Sequence, residues 1–438
     1  MEHQKIIEFI DEHKEEYIKF LQKLVQTPSY NPPGTESKIC LLIEKYLKKG
    51  NITYEKHPFG DKRANLVAFL NNNPNGKILL YNGHMDTVPP GDNKKWKYPP
   101  LSGTIEENKV MYGRGTTDMK SGLAAMIISL KVLKSLKPTL SGNLILNAVA
   151  EEETGGFLGT KWCLENVLKD IHCDFVVVGE YTGLNALQKG IIVGEKGDLQ
   201  IKITINGKSA HASVPFLGYN PINIMSKIIV NLDKIDKYLP EIQLPFPKEE
   251  VQNSFKKHLS FPGKFKDLVE KNPLIMNLFK SVTSISKTCT MLNAGIKENM
   301  IPDRCEAIID FRILPNHTVK MVMNALDSMI DNLGFGEFVT LKVHHYTEPS
   351  YFEGWKNSKT LTNFFQIVKH IYNIEPIYFL FPASADAEFF RNSNYCNDTI
   401  LFGPGRFDVA HTTNEFVNLE DFINAIKVYT IFALNFLK

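Results

Sequence analysis

The chain has 438 residues, more than a single hydrophobic core usually serves, so two domains are the first expectation. Hydrophobic residues make up 43% and charged residues 22%, an ordinary globular balance that gives no case for disorder. The net charge of +2 gives no electrostatic case for nucleic acid or an anionic membrane as a partner.

Residues 1–23 carry charges every few positions and lack the apolar run and cleavage site of a secretion signal, so they are predicted as an amphipathic helix ending near Val25. No later segment approaches the roughly 18 consecutive apolar residues of a membrane span. A cytoplasmic protein with no membrane partner is expected. The six scattered cysteines form no C-x-x-C pair and are expected as reduced, mostly buried thiols. A helix is predicted over 39–48, short apolar strands over 65–70 and 78–82, and a helix over 122–136. A strand over 143–149, a helix near 158–167 and a strand over 175–178 follow. Continuous apolar strands alternating with helices predict an α/β domain whose mostly parallel sheet is flanked by helices.

The pattern changes after Gly194. Residues 198–206, DLQIKITIN, alternate polar and apolar, as a strand with one exposed face does. A helix over 222–232 follows, then a Pro-, Lys- and Phe-rich stretch, 239–271, to which no element is assigned. A strand over 306–314, a helix over 318–333 and a strand over 339–345 complete a smaller α+β unit, after which helices over 358–372 and 419–436 restore α/β character. The expected organisation is a catalytic domain in two parts, 1–194 and 346–438, with an inserted lid or dimerisation domain, 195–345.

Five places carry residues suited to chemistry. In ILLYNGHMDTV, an apolar strand ends with His84 and Asp86 two apart and pointing the same way, as a metal ligand with an orienting carboxylate would. The plainer alternative is a strand-end His and Asp satisfied by loop amides. The glycine-rich YGRGTTDMKSG lacks both nucleotide-binding glycine patterns, and its Asp118, held at a loop-to-helix junction, could bridge two cations. Three glutamates in NAVAEEETGG follow a buried-type strand, where like charges call for cations, although an isolated EEE is more often a solvated turn. FVVVGEYT ends an apolar strand with Glu180, and GPGRFDVAHTTNEFV carries His411 before the last helix. Ligands of open α/β sheets bind beyond the carboxyl ends of the strands, and mixed histidine and carboxylate ligation suits zinc, manganese or cobalt hydrolases.

With these residues assembled, the chain resembles the M20 metallopeptidase family of carboxypeptidases, dipeptidases, aminoacylases, acetylornithine deacetylase and succinyl-diaminopimelate desuccinylase. Over essentially its whole length the family's motifs stand in order as GHMD, GRGTTDMKSG, EEETGG, GEYT, GKSAH, NMIP, DFR and AHTTNE. The resemblance implies two zinc ions, with cobalt or manganese as substitutes, bridged by Asp118. His84 and Glu180 would complete one site, and Glu153 and His411 the other. It also implies that Glu152 is the general base, with Asp86 beside the metal-binding His84 and Glu151 standing where many relatives have Asp. His211 would stabilise the oxyanion from a partner subunit, implying a homodimer through the lid, and Asn299 and Arg312 would hold a substrate carboxylate. Asp386, in PASADAEFF, is given no role, and the stretch 238–287, longer than in desuccinylase-like members, would alter dimer contacts or cover the substrate. The expected activity is hydrolysis of an N-acyl amino acid of the acetylornithine or succinyl-diaminopimelate type, since Glu at position 180 is commoner among deacylase-like relatives. A dipeptidase or carboxypeptidase is the alternative, and a non-catalytic metal-binding relative the third reading.

Overall fold

The computed structural model describes residues 2–70, 73, 75–183, 189–258, 263–271 and 273–438. Among them the main sheet has nine strands. At its centre Ile78–His84 runs parallel to both Asn143–Val149 and Phe175–Val178, and Thr399–Leu401 runs parallel to the latter. These four are apolar and buried nearly throughout, as strands covered on both faces must be. The mostly parallel sheet flanked by helices is the predicted α/β architecture. Antiparallel neighbours sit outside this parallel set: Thr53–Phe59 pairs with Arg63–Leu70, and Gly190–Glu195 with Ser350–Tyr351. The strand Gly190–Glu195 was not predicted; its sequence GIIVGE, buried throughout, straddles the change of pattern at Gly194.

The register matters more than the strand count. His84 pairs with Val149, and Asn82 with Val178, so three strands end within two residues of one another and the loops that follow share one edge. Behind that edge, Lys120–Leu136 packs against the terminal helix Leu419–Leu437, and both are apolar on nearly every face. Gly122 lets the first of these helices begin close to the sheet, since a Cβ there would lie 1.9 Å from the Gly179 carbonyl oxygen. The N-terminal helix of the sequence reading is two, Glu2–Glu12 and Lys14–Gln26, broken at His13. Among the described residues no helix is long and apolar enough to cross a membrane. All six cysteines are free thiols, with Cys289 the one not fully buried.

A second, four-stranded antiparallel sheet orders Ser286–Ala294, Arg304–Ile313, Gly197–Asn206 and Val339–Tyr346. Leu199, Ile201, Ile203 and Ile205 face one way, as the alternation predicts, and meet the helices Pro221–Asn231 and Val319–Asn332 in a separate core. The stretch 239–271, to which sequence assigned no element, forms the helices Lys248–His258 and Phe265–Lys271, and a third helix, Pro273–Thr283, follows it; residues 259–262 and 272 lie outside the described set. Val251 and Phe255, one helical turn apart, join Phe246, Ile275 and Val282 in the main core rather than in that of the smaller sheet. Phe246 stacks on Trp355 with ring centroids 5.1 Å apart.

Phe255→Ala is expected to destabilise the protein by about 3–5 kcal/mol in urea unfolding, the range for deleting a buried aromatic ring. A loss under about 1 kcal/mol, within the range of a surface substitution, would show that this segment does not belong to the main core.

Candidate metal centre

His84 closes the strand Ile78–His84 and has no exposed surface. Its Nδ1 lies 3.0 Å from the main-chain carbonyl of Asp86, an acceptor that fixes the proton on Nδ1 and turns Nε2 toward the cleft. The orienting group is thus the carbonyl of Asp86, while its carboxylate, 3.6 Å from Nδ1, is engaged elsewhere. It accepts hydrogen bonds from Asn31 Nδ2 at 2.8 Å and from the main-chain N–H groups of Glu152 and Glu153 at 3.2 Å each. Asp86 therefore holds the glutamate turn in place from behind.

The three glutamates divide. Glu151 sits in the left-handed region at φ +72°, a conformation costing roughly 1–2 kcal/mol for a non-glycine residue. Its carboxylate stays out of the centre and accepts the Leu158 N–H at 2.6 Å, locking the turn. Glu153 accepts the Val88 N–H at 3.1 Å with Oε1 and places Oε2 3.0 Å from His411 Nε2. Glu152 lines the cleft, with its carboxylate 3.8 Å from His84 Nε2.

Asp118 stands between two histidines, with Oδ1 3.1 Å from His84 Nε2 and Oδ2 2.9 Å from His411 Nε2. Glu180, after the strand Phe175–Val178, puts Oε1 3.3 Å from His84 Nε2. Two groups of three follow, His84 with Asp118 and Glu180, and Asp118 with Glu153 and His411, each holding its ligand atoms within 4.8 Å of one another. Asp118 is common to both, so the structure brings together all five residues expected as ligands.

Glu415, quoted in AHTTNE but given no role, is what shapes the Asp118 loop. Fully buried, it accepts hydrogen bonds from Arg114 Nη1 at 2.5 Å and from the main-chain N–H groups of Gly115, Thr117 and Asp118 at 3.1, 2.8 and 3.0 Å. The loop can wrap one carboxylate this way because Gly115 takes φ +84°, where a Cβ would stand 2.7 Å from Thr87 Cγ2. The available sequence signal was a lone glutamate four residues after His411 in an otherwise uncharged run. Lys120, also buried, caps the main-chain carbonyls of Leu24 and Thr27 at 3.0 and 2.8 Å.

The residues expected from the smaller unit separate. Arg312 lines the cleft, with Nε and Nη2 donating to Asp310 at 2.9 and 3.1 Å and Nη2 also 3.2 Å from Asp198. His211 and Asn299 lie on the pair of short strands Ala210–His211 and Met300–Ile301 and its turn. Both are exposed and neither lines the cleft; His211 Nδ1 is 2.7 Å from Ser213 Oγ.

Electrostatics set the requirement on this centre. Burial, then Glu180, Asp386 and Glu153, push Glu152 well above the usual carboxylate range, against the pull of His84. Burial and Asp118 push Glu153 up to about 7. Burial lowers His84, but Glu152, Asp118 and Glu180 outweigh it and leave it well raised, while hydrogen bonds to Asp118 and Glu153 carry His411 up to about 10. Among the described residues no Lys or Arg pairs with any of these four acids. Such a concentration of buried carboxylates is costly unless cations compensate it. The donor spacing fits that answer: two atoms about 2.0–2.1 Å from one tetrahedral ion lie about 3.3 Å apart, close to the 2.9–3.3 Å found here.

A parallel sheet with histidine and carboxylate donors gathered at its carboxyl edge is the arrangement of a metal-dependent hydrolase. The model of peptidase family M20/M25/M40 matches residues 80–435, and the chain belongs to that family. It is 28% identical over 431 residues to a probable succinyl-diaminopimelate desuccinylase of Staphylococcus aureus strain MSSA476, covering 97% of this chain and 98% of the relative. The M20 family metallo-carboxypeptidase Sso-CP2 from Sulfolobus solfataricus has a similar fold, with a TM-score of 0.77 at 23% identity, covering 96% of this chain and 98% of that one. Human carnosine dipeptidase 1 aligns with a TM-score of 0.75 at 17% identity, covering 100% and 99%. The chain is therefore a metal-dependent amide hydrolase.

Glu415→Ala is expected to weaken metal retention by roughly 10–100-fold, the usual effect of removing a group that orients a ligand. Metal per chain after dialysis against graded chelator reads this directly. Retention equal to the unmodified protein would show that Glu415 does not organise Asp118.

Proposed function

We propose that this enzyme hydrolyses the amide bond of an N-acyl amino acid whose amine product keeps its carboxylate, in the manner of a succinyl-diaminopimelate desuccinylase. His84, Asp118 and Glu180 would hold one zinc ion, and Asp118, Glu153 and His411 a second, with cobalt or manganese as substitutes. Bound divalent ions of this kind make hydroxide available near neutral pH and polarise the scissile carbonyl. Glu152 takes the proton of the attacking water and returns it to the leaving nitrogen. The observation that carries this reading is the position of Glu152, which faces the cleft beside the five donors yet belongs to neither three-residue group.

Arg312 is the group proposed to bind the substrate carboxylate, its planar fork held in the cleft wall by Asp310 and Asp198. His211 and Asn299 would act from the partner subunit of a homodimer. Supporting that assembly, the edge strand Ser286–Ala294 exposes Met291 and Leu292, with Ile296 and Val230 also exposed. The unit proposed to make this contact is the inserted domain 195–345, and the compartment proposed is the cytoplasm. A dipeptidase or carboxypeptidase is the second reading, favoured by the two structural neighbours, a metallo-carboxypeptidase and a carnosine dipeptidase.

The test is a panel of N-acetyl and N-succinyl amino acids and dipeptides, run on the unmodified enzyme and on Glu152→Gln with zinc, cobalt or manganese added. Turnover of the acyl compounds is expected, with Glu152→Gln losing at least about 100-fold in kcat while metal content stays unchanged. Turnover confined to dipeptides would replace the deacylase reading with the second. Near-normal turnover by Glu152→Gln would remove it as the base.

A further inference from the structure

The cleft has a volume of about 440 Å3 and runs from the metal ligands past the strand Ile377–Phe381 to Glu388, on the short helix Ala387–Asn392. Tyr181, the residue after Glu180, lines it. Its backbone is fixed on both sides. The Gly179 N–H donates to the Asn82 carbonyl at 2.9 Å, and those of Thr182 and Gly183 donate to the carbonyls of Gly403 and Gly405 at 3.2 and 2.9 Å. Its ring packs edge-on against Phe381 and Phe407, with centroids 5.6 and 5.2 Å away, so the hydroxyl is presented in a fixed direction. Beyond burial itself, the groups acting on that hydroxyl are the acids Asp118, Glu180, Glu153 and Glu152, in that order, which places it beside the metal centre. Among the described residues the hydroxyl has no hydrogen-bond partner.

Amide hydrolysis calls for such a donor. When water adds to the amide carbon, one electron pair of the C=O bond moves to oxygen, and negative charge develops in a cleft already lined by carboxylates. A donor aimed at that oxygen is worth more there than in water. Proposed ligands aside, the other donors on the cleft wall are engaged or remote. Thr154 donates to Glu151 at 3.2 Å, Ser384 donates to the Lys196 carbonyl at 3.1 Å, and Thr347 Oγ1 is 3.1 Å from Ser384 Oγ. Arg312 is paired with Asp310 and Asp198, and His345 stands by Asp198 on the smaller sheet. His211 is exposed and does not line the cleft of its own chain. We infer that Tyr181 is a catalytic residue whose hydroxyl donates a hydrogen bond to the amide oxygen as it becomes the oxyanion. This rests on the proposed attack of water with Glu152 as base, and goes beyond it by placing an oxyanion donor in the same chain as the metal ligands. A phenol is a neutral donor near neutral pH, and no proton leaves it. The proton of the water passes to Glu152 and on to the leaving nitrogen, and the electron pair returns from oxygen to carbon as the C–N bond breaks.

The test is Tyr181→Phe, which keeps the ring between Phe381 and Phe407 and removes only the hydroxyl. With zinc added, N-succinyl-alanine and glycyl-alanine are assayed on the unmodified enzyme and on the variant. Calorimetry measures binding of their phosphinate isosteres, in which a PO2–CH2 unit replaces the scissile CO–NH and an anionic oxygen stands where the oxyanion forms. For whichever compound is cut, kcat is expected to fall about 100–1,000-fold, the range for one oxyanion donor, with KM changed by less than about threefold. The matching phosphinate should bind at least about tenfold more weakly, with metal content and thermal unfolding unchanged. A kcat within about threefold of the unmodified enzyme, a change confined to KM, or equal affinity for the phosphinate overturns the inference. Loss of metal from the variant overturns it too, since the hydroxyl would then act through the ligands. The two ideas fail separately. Near-normal turnover by Glu152→Gln removes the base and leaves the Tyr181 comparison standing, and if neither compound is cut the proposed function fails while phosphinate binding alone decides on Tyr181.

Discussion

The rest of the structure is arranged around one constraint: Asp118, Glu152, Glu153 and Glu180 meet at the carboxyl edge of a parallel sheet, where water is largely excluded. Like charges brought this close in a medium of low effective dielectric repel strongly, so the fold must both hold them and offer them cations. Holding is done from behind. Asp86 accepts the main-chain N–H groups of the Glu152–Glu153 turn, and Glu415 accepts three from the Asp118 loop together with the Arg114 guanidinium. Two buried carboxylates that face no substrate thereby fix the geometry of those that do. Lys120 ties the start of the helix behind Asp118 to the N-terminal helix by capping its last carbonyls, which anchors the loop to the core.

Much of this was legible in the residues because strand ends are local features. Apolar runs ending at His84, Val149 and Val178 announced a parallel sheet, and the chemistry-bearing residues stand just after them. The alternation of 198–206 likewise announced a strand with one buried face, and Leu199, Ile201, Ile203 and Ile205 occupy it. The roles of Asp86 and Glu415 were hidden, because each works through main-chain donors that become neighbours only after folding. Glu415 lies about 300 residues along the chain from the N–H groups it accepts. The helix Lys248–His258 was hidden for another reason: its apolar residues are sparse, and it packs against the strand Ile377–Phe381, far along the chain. Glu388 carried no signal either, since a glutamate on a short helix is ordinary until its surroundings prove to be other acids.

The smaller sheet and the segment 248–283 pack into different cores. Residues of the sheet reach the cleft at Asp198 and Arg312, whereas the helices attach to the main core through Phe246, Val251 and Phe255. Both Arg312 of the smaller sheet and Glu388 of the segment after Ile377–Phe381 line the cleft, on walls apart from the five donors at the sheet edge.

The proposed reaction depends most directly on the division between Glu152 and the five donors. A crystal structure of the protein grown with zinc, with anomalous scattering measured on either side of the zinc edge, tests it. Two ions are expected, one held by His84, Asp118 and Glu180 and the other by Asp118, Glu153 and His411, with Glu152 coordinating neither. A single ion, or two ions with Glu152 among the ligands, would contradict it.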